Sequence, residues 1–229
     1  MNLLREKPIL FEFYNLRSSI CAGAFWALLL VLIGYTDAWG AVGCELNDPD
    51  RDVARFFPKS TGYKTHYASI LQRGGQALLG KVETRLGDKF QGIYETIDVP
   101  YTIYEIFTNN KRVGYIHGVN HKGQFGGIQV FLALDLEGRI KAFYIQKMTS
   151  KYAAKFRDPN FGKQFVDLML KDFNLYDVVS QKASGKMEGI KNPVPEAEFD
   201  FRAALRATKK NLVLLDEFGF LPQPSQKAE

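Results

Sequence analysis

Two segments of alternating polarity, joined by a glycine turn, constrain the fold of this sequence more than any other feature. The stretch from residue 123 to residue 146 reads GQFGGIQVFLALDLEGRIKAFYIQ. Aliphatic side chains occupy every second position from Ile128 to Leu134, a spacing that places them on one face of a β-strand. Glu137 and Gly138 form a turn dipeptide before the second segment. The stretch therefore predicts an antiparallel hairpin whose first strand carries these aliphatic side chains on one face.

The residues before this hairpin predict further strands. YTIYEIFT and RVGYIHGV are rich in β-branched and aromatic residues, and the turn from Asn109 to Lys111 separates them. Together with the hairpin they make a meander of about four antiparallel strands. A short helix and a strand from about Tyr63 come earlier in the chain, followed by a helix over residues 70–88.

Two helices are predicted after the strands. Asp158 can cap the first, with Pro159 at its first position, and the second covers residues 198–220. The side chains expected to face inward are Phe161, Phe165, Leu168 and Met169 in the first helix, and Phe201, Leu205, Leu212 and Leu215 in the second. Strands grouped between helices indicate an α+β fold, in which a central antiparallel sheet is flanked by helices.

The N-terminal part carries an uncharged run, ICAGAFWALLLVLIGY, from Ile20 to Tyr35. Arg5, Lys7 and Arg17 precede the run, so this flank should stay cytoplasmic while the rest of the chain is exported. Its sixteen residues are fewer than the roughly 20 of a typical spanning helix. A cleaved signal peptide and a retained membrane anchor therefore remain open, as does lipidation at Cys44, because AVGC loosely resembles a lipoprotein box. The expected location is the periplasmic side of the inner membrane.

Cysteine and histidine positions limit the chemistry of the exported part. Cys21 lies inside the apolar run and Cys44 just beyond it, so no disulfide framework and no CxxCH haem motif can form. His117 and His121 on one strand would lie about 13 Å apart, too far to share a metal ion. We therefore expect no metal site. No serine-hydrolase, dinucleotide or Walker phosphate motif occurs in the sequence either.

The charge balance does not indicate nucleic acid as a partner. The formal net charge of +5 comes from 30 basic and 25 acidic residues, which are interspersed rather than arranged in blocks. An exported chain also rarely meets nucleic acid. A mixed, solvated surface explains the charges.

Gly126 and Gly127 stand directly before the first strand of the hairpin. Glycine at the entry of a strand permits a β-bulge, or lets a planar group approach the backbone closely. On these residues alone, both interpretations remain open.

The stretch from Tyr104 to about Phe156 resembles the FMN-binding domain of the flavinylated subunits of the Rnf electron-transport complex and of the sodium-translocating NADH:quinone reductase. In that family a hairpin ending in G-Y/F-V precedes a G-Y-G-G-P-I entry and a D-G-K-I turn. The corresponding motifs follow here in the same order: Gly114-Tyr115-Ile116, Gly123-Gln124-Phe125-Gly126-Gly127-Ile128 and Leu136-Glu137-Gly138-Arg139-Ile140. The resemblance implies FMN as the cofactor.

Two departures from the family pattern concern how FMN is held. QKMTSKYAAKF stands where the family has H-S-E-T-P-G-L-G, so Thr149 is retained whereas the glycines and the glutamate are not. In KASGKMEG, Ser184 and Gly185 match the S-G-A-T attachment motif, but Lys186 and Met187 replace its alanine and threonine. Because methionine cannot accept a phosphoester, we expect non-covalent FMN, or a site that has lost its flavin.

The resemblance implies a cofactor site made of two loops. The first contains Phe125, Gly126, Gly127, Thr149, Ser150 and Lys151, and the second contains Ser184, Gly185 and Lys186. Lysines crowd both loops and are suited to hold a phosphate, although a solvated surface explains them as well. No catalytic residue is implied, because the flavin carries the electron chemistry.

The implied organisation has four parts. Residues 1–43 form the cytoplasmic flank and the signal peptide or anchor, residues 44–100 a helix-strand-helix extension, residues 101–220 the FMN-binding-like domain, and residues 221–229 a disordered tail. The expected function is electron transfer beside a respiratory membrane complex, with the membrane or that complex as the partner. The alternative is a non-catalytic protein of the same fold that binds a partner subunit or assists assembly.

Overall fold

The computed structural model describes residues 43–222. The expected signal or anchor segment and residues 223–229 of the expected tail lie outside this range. The helices are α1 (Pro49–Phe56), α2 (Ile70–Arg73), α3 (Gly75–Leu86), α4 (Ala153–Phe156), α5 (Pro159–Lys163), α6 (Leu170–Phe173) and α7 (Glu198–Glu217). The strands are β1 (Gly62–Ala68), β2 (Tyr101–Thr108), β3 (Lys111–Lys122), β4 (Gly127–Leu134) and β5 (Ile140–Met148).

The five strands form one antiparallel sheet in chain order. The predicted α+β class and the meander are confirmed, but the sheet has five strands rather than about four. The additional strand is β1, in which Gly62 lies opposite Phe107 and Ala68 opposite Tyr101. The sequence pattern identifies this segment as a strand but not its partner, because two helices separate β1 from β2 along the chain.

Helix α7 packs against the inner face of the sheet. It contacts β3 and β4 on one side and α3 on another. Every residue from Ala203 to Leu215 is buried, so the helix lies inside the molecule rather than on its surface. The predicted second long helix is confirmed, and Leu205, Leu212 and Leu215 lie in the core as expected. No helix within residues 43–222 combines the length and the apolar character needed to cross a membrane.

The outer face of the sheet is covered by α1 and by the first residues that the structure describes. Cys44 and Leu46 pack with Ile116 and Phe131 in a second core. Gly118 permits this close approach, because a Cβ there would lie 2.4 Å from the Phe131 ring and 2.7 Å from the Cys44 sulfur. A side chain at this position would therefore separate the N-terminal segment from the sheet.

Hydrogen bonds hold residues 43–47 to distant strands. Gln146 of β5 accepts a hydrogen bond from the Asn47 N–H and donates one to the Glu45 carbonyl, both at 2.9 Å. The Asn120 side chain of β3 donates to the Gly43 carbonyl at 2.7 Å. This segment, which we call the N-terminal strap, is therefore an integral part of the folded domain.

The predicted helix after the strands is shorter than expected. Asp158 caps it as predicted, but α5 ends at Lys163. The chain then turns back to β5, where the Asp167 N–H donates to the Ile140 carbonyl at 2.8 Å and the Ile140 N–H donates to the Leu168 carbonyl at 2.9 Å. These bonds to the sheet replace the helical bonds that the apolar spacing predicts.

The helix predicted over residues 70–88 is divided into α2 and α3. Gly74 follows the last residue of α2, and Gly75 has a φ of 59°. This left-handed conformation favours glycine over any residue with a Cβ. The glycine pair therefore separates two helices that the apolar spacing alone would join.

Candidate functional site

The first predicted loop of the cofactor site lies at the turn between β3 and β4. The Gly123 N–H donates to the Gly126 carbonyl at 2.6 Å and closes the turn. Gly126 has a φ of 153°, and a Cβ there would lie 2.9 Å from the Thr149 Cβ. The Thr149 N–H donates to the Gly127 carbonyl at 3.2 Å. The structure thus brings the paired glycines and Thr149 together.

The side chains around this turn leave an exposed surface. Phe125 is 56% exposed. A Cβ added to Gly127 would lie 2.9 Å from the hydroxyl oxygen of Tyr94, so the backbone of Gly127 and this ring are in close contact. The space beside each glycine is therefore filled by another residue of the same protein, Thr149 beside Gly126 and Tyr94 beside Gly127.

Ser150 and Lys151 follow β5 beside the same turn. The Ser150 hydroxyl accepts a hydrogen bond from the Tyr152 N–H at 3.2 Å. The Lys151 ammonium lies 4.9 Å from the centre of the Tyr152 ring, within the range of a cation–π contact. Lys151 is exposed, so its charge is accessible to an anion.

The second predicted loop packs against the segment after α6. Ser184 directs both its N–H and its hydroxyl to the Leu175 carbonyl, at 3.1 and 3.4 Å. Gly185 has a φ of 60° and begins a short 3-10 helix, Gly185–Gly189. The Lys186 ammonium lies 4.0 Å from a carboxylate oxygen of Asp172. These contacts hold the loop in a defined turn.

Ser184 lines a cleft with a volume of about 720 Å³. This volume is within the range of roughly 300–1,000 Å³ that small-molecule sites occupy. The walls come from the end of α3, from residues 174–184 and from α7: Thr84, Arg85, Gly87, Asn174, Leu175, Tyr176, Asp177, Lys182, Ala183, Ser184 and Lys209. We call this space the Ser184 cleft. Its walls include none of the predicted residues of the first loop.

Basic side chains line the Ser184 cleft from α3, from residues 174–184 and from α7. Lys209 of α7 donates to the Tyr176 carbonyl at 2.8 Å, which uses one of the three donors of its ammonium group. Desolvation lowers the pKa of Lys209, and the Asp177 carboxylate offsets part of that effect. Lys182 is exposed. Arg85 is held by carboxylates of α7, so Lys182 and Lys209 are the cations best placed for a ligand.

The two predicted loops lie at different positions along α7. The first loop is bonded near the start of the helix, where the Asp200 carboxylate accepts from the Gln124 N–H at 2.8 Å. The second loop lies beside Lys209, nine residues further on. At 1.5 Å per helical residue, this separation is about 14 Å. A ligand held by both loops must bridge that distance.

Met187 stands where the family has its attachment threonine. Its side chain is 3% exposed and belongs to the main hydrophobic core. The position is therefore filled by a packing residue, and it does not appear among the walls of the Ser184 cleft.

Charged side chains meet where α7 contacts the segment after α3, a feature that the sequence interpretation missed. Arg206 donates to the carboxylates of Asp88 and Glu95 at 2.7 and 2.6 Å. Lys210 donates to Glu95 at 2.7 Å, and Arg206 also lies 3.1 Å from the Nδ1 atom of His121. We call these five residues the α7 charge cluster. Four of them line a smaller cleft of about 370 Å³.

Opposite charges compensate each other inside this cluster. Burial raises the pKa of Glu95, but contacts with His121, Lys210 and Arg206 outweigh burial and hold it well below its usual range. Burial lowers the pKa of Lys210, which Glu95 partly offsets. Asp88 and Glu95 balance the two cations when His121 is neutral. The contacts attach residues 88–95 to α7 and indicate a structural role.

The two histidines of β3 have separate partners. Asn211 donates its side-chain amide to the His117 carbonyl at 2.9 Å, and its oxygen lies 2.8 Å from His117 Nδ1. Burial lowers the pKa of both His117 and His121 to about 4. Within the part of the chain that the structure describes, no three histidine, cysteine or acidic side chains are grouped to hold a metal ion.

Comparison with known proteins assigns no family. No protein-family model matches the chain, and no curated protein is significantly similar to it.

Proposed function

We propose that this chain is an exported FMN-binding-type protein that takes part in electron transfer beside a respiratory membrane complex. The observation that carries the proposal is the Ser184 cleft, which has the volume of a ligand site and joins Ser184, Lys182 and Lys209 around one space. The motifs shared with the FMN-binding family supply the identity of the cofactor. The chain's role is to bind and orient the flavin, which exchanges the electrons.

The side chains of the cleft are of the types that a mononucleotide requires. Ammonium and hydroxyl groups, here those of Lys182, Lys209 and Ser184, form charge-assisted hydrogen bonds to phosphate. Leu175 is 49% exposed and offers apolar surface to a ring system in the same space. The cleft therefore combines a polar and an apolar wall, as small-molecule sites usually do.

The proposed attachment is non-covalent because Met187 is buried and has no hydroxyl group. Thr149 and Ser184 are exposed hydroxyl residues in the predicted loops, so either could carry an esterified FMN instead. Mass spectrometry of peptides from the exported protein distinguishes the two modes. An FMN adduct on the peptide containing Thr149 or Ser184 would replace the non-covalent proposal by a covalent one.

The test of flavin binding is the absorption spectrum of the full chain, purified after expression with its own N-terminal segment. We expect a flavin band, or quenching of FMN fluorescence when FMN is added. The double variant Lys182→Ala/Ser184→Ala should bind FMN at least tenfold more weakly, because it loses a charge-assisted bond and a hydroxyl bond.

The matched control is Lys64→Ala/Ser60→Ala, which removes one lysine and one serine outside the cleft. Lys64 lies on β1, and Ser60 precedes that strand. It should bind FMN as the unmodified chain does. Equal weakening in both double variants would show that the Ser184 cleft is not the site. Failure of the unmodified chain to retain or bind FMN would refute the electron-transfer proposal altogether.

A non-catalytic partner-binding or assembly role is the second candidate. The observation that favours it is the separation of the two predicted loops along α7, together with the burial of Met187 where the attachment threonine is expected. In this case the chain binds no flavin, and cross-linking in the membrane should connect it to a subunit of a redox complex. Loss of that complex's assembly on deletion of the chain, with no flavin in the purified protein, would support this role.

A further inference from the structure

In the part of the chain that the structure describes, the most exposed aromatic side chains lie at one end of the sheet. Among residues 43–222, the aromatic side chains that are more than half exposed are Tyr67, Phe125 and Phe199, at 61, 56 and 52%. Tyr67 lies at the end of β1, and Phe125 lies in the β3–β4 turn. Phe199 precedes Asp200, which is bonded to Gln124 of that same turn. All three therefore surround the end at which β1 and β3 finish.

Further apolar and basic side chains surround this end. Ile93 is 52% exposed and adjoins Tyr94, which packs on Gly127 at the start of β4. Lys122 at the end of β3 and Lys151 after β5 are both exposed. The surface thus combines isolated apolar side chains with lysines, and it does not form one deep apolar groove.

The chain enters the domain at the same end. The Gly43 carbonyl accepts from the Asn120 side chain near the end of β3, and Gly43 shares a concavity with Tyr67. The uncharged run finishes at Tyr35, eight residues before Gly43. Eight residues span at most about 28 Å. A retained anchor would therefore keep this end of the domain close to the bilayer.

We propose that Tyr67, Ile93, Phe125 and Phe199, which together form the sheet-end surface, rest on a membrane surface; this inference rests on the expectation that the run from Ile20 to Tyr35 is a retained anchor. The amphipathic ring of Tyr67 suits the headgroup level of a bilayer, and Phe125, Phe199 and Ile93 are apolar side chains of the kind that interfacial surfaces bury at the acyl boundary. Lysines beside them attract the anionic headgroups of the same leaflet. Because the connection is short, the anchor would hold the surface at a high effective concentration near the bilayer. Each side chain then needs to contribute only a small binding free energy.

Exposed carboxylates at this end set the expected salt dependence. Glu45 adjoins Gly43, and Asp98 precedes β2, so both partly offset the attraction of Lys122 and Lys151 for an anionic surface. Insertion of the aromatic and aliphatic side chains should then dominate the contact. We expect it to persist when the salt concentration is raised from about 0.1 to 0.5 M, across which exposed charges become strongly screened.

The experiment uses the full chain with Cys21→Ser, inserted in phosphatidylcholine vesicles that contain phosphatidylglycerol. A fluorophore is attached at Ile93→Cys, Phe199→Cys or, as the control, Leu136→Cys, and nitroxide-labelled lipids serve as the quencher. Leu136 is 38% exposed and lies beyond the opposite end of β4, about 25 Å away. Phe125 is left unchanged because it belongs to the predicted cofactor loop.

We expect at least threefold stronger lipid quenching at positions 93 and 199 than at position 136. Equal quenching at the three positions, or none at 93 and 199, would overturn the proposal. The double variant Ile93→Ser/Phe199→Ser, probed by a fluorophore at Tyr67→Cys, should lose most of the quenching, whereas Leu136→Ser/Val179→Ser should not. The flavin band, recorded on the same samples, is a separate readout, so failure of the membrane contact and failure of flavin binding are distinguishable.

Discussion

Gly126 has both a positive φ and a close neighbour, Thr149, so a larger residue is disfavoured there for two reasons. In Gly126→Ala the new Cβ would lie 2.9 Å from the Thr149 Cβ, at a φ that residues with a side chain rarely adopt. We expect this substitution to lower the free energy of unfolding by about 1–3 kcal/mol. Chemical denaturation followed by circular dichroism measures the change.

Gly62→Ala is the matched control for this prediction. A Cβ at Gly62 meets no atom within 4 Å, and its φ is not positive. Its effect should be neutral or stabilising by up to about 1 kcal/mol, because alanine restricts the unfolded chain. Comparable losses in the two variants would mean that Gly126 is not specially constrained.

The paired glycines show how far single residues can be interpreted from the sequence. Their position predicts either a bulge or the close approach of another group. The structure shows that the approaching groups are Thr149 and Tyr94. These residues come from the ends of other segments, so their proximity depends on the assembled sheet and not on any local pattern.

The elements themselves were largely predictable, because their signals are local. β-Branched and aromatic composition identifies β2 and β3, alternation identifies β4 and β5, and the spacing of apolar residues identifies α7. The local pattern does not show where hydrogen bonds to another element replace the hydrogen bonds within a helix. At Asp167 and Leu168 the chain bonds to Ile140 of β5, so the helix that Asp158 begins stops early. A periodic pattern is a weaker constraint than such tertiary hydrogen bonds.

The burial of the basic residues of α7 could not be predicted from the local sequence pattern either. Arg206, Lys209 and Lys210 have the appearance of a solvated helix face, yet all three are buried. Their partners lie in the segment around Glu95 and at the Tyr176 carbonyl, which no periodicity connects to α7. The sequence signal was the cationic triplet itself, within a helix that is apolar before and after it.

Glu95→Gln tests whether the α7 charge cluster stabilises the fold. The substitution leaves Arg206 and Lys210 buried with one compensating carboxylate fewer, so we expect a loss of about 3–5 kcal/mol in the free energy of unfolding. The exposed pair Glu198–Arg202, at 2.7 Å, provides the comparison. Glu198→Gln should cost less than about 1 kcal/mol in the same denaturation measurement. A small effect at Glu95 would show that the cluster contributes no stability.

At the scale of the whole molecule, the two buried histidines predict that stability falls in mild acid. The pKa of His117 and His121 is about 4 in the folded protein and 6.5 in the unfolded chain. Between these values the unfolded chain binds more protons, so stability is lost as the pH falls from 6.5 to 4. Each histidine accounts for up to about 3 kcal/mol, since a tenfold change in proton affinity is worth about 1.4 kcal/mol. Thermal unfolding across this pH range measures the loss.

The variant His121→Gln separates this effect from other sources of acid sensitivity. Glutamine remains neutral beside Arg206, so about half of the loss between pH 6.5 and 4 should disappear. His66→Gln is the control, because the His66 side chain is 36% exposed and lies outside the core. An unchanged pH profile in His121→Gln would contradict the assignment.

Helix α7 lies at the centre of the molecule, and among residues 43–222 it is the last helix to be synthesised. Both faces of the sheet need distant residues, since α7 covers one and the N-terminal strap reaches Gln146 on β5 to cover the other. A nascent chain that ends before α7 has neither a closed core nor the two cations, Arg206 and Lys210, that pair with Glu95. The domain must therefore complete its synthesis before it can fold, and during that interval the cell has to protect its five strands from aggregation.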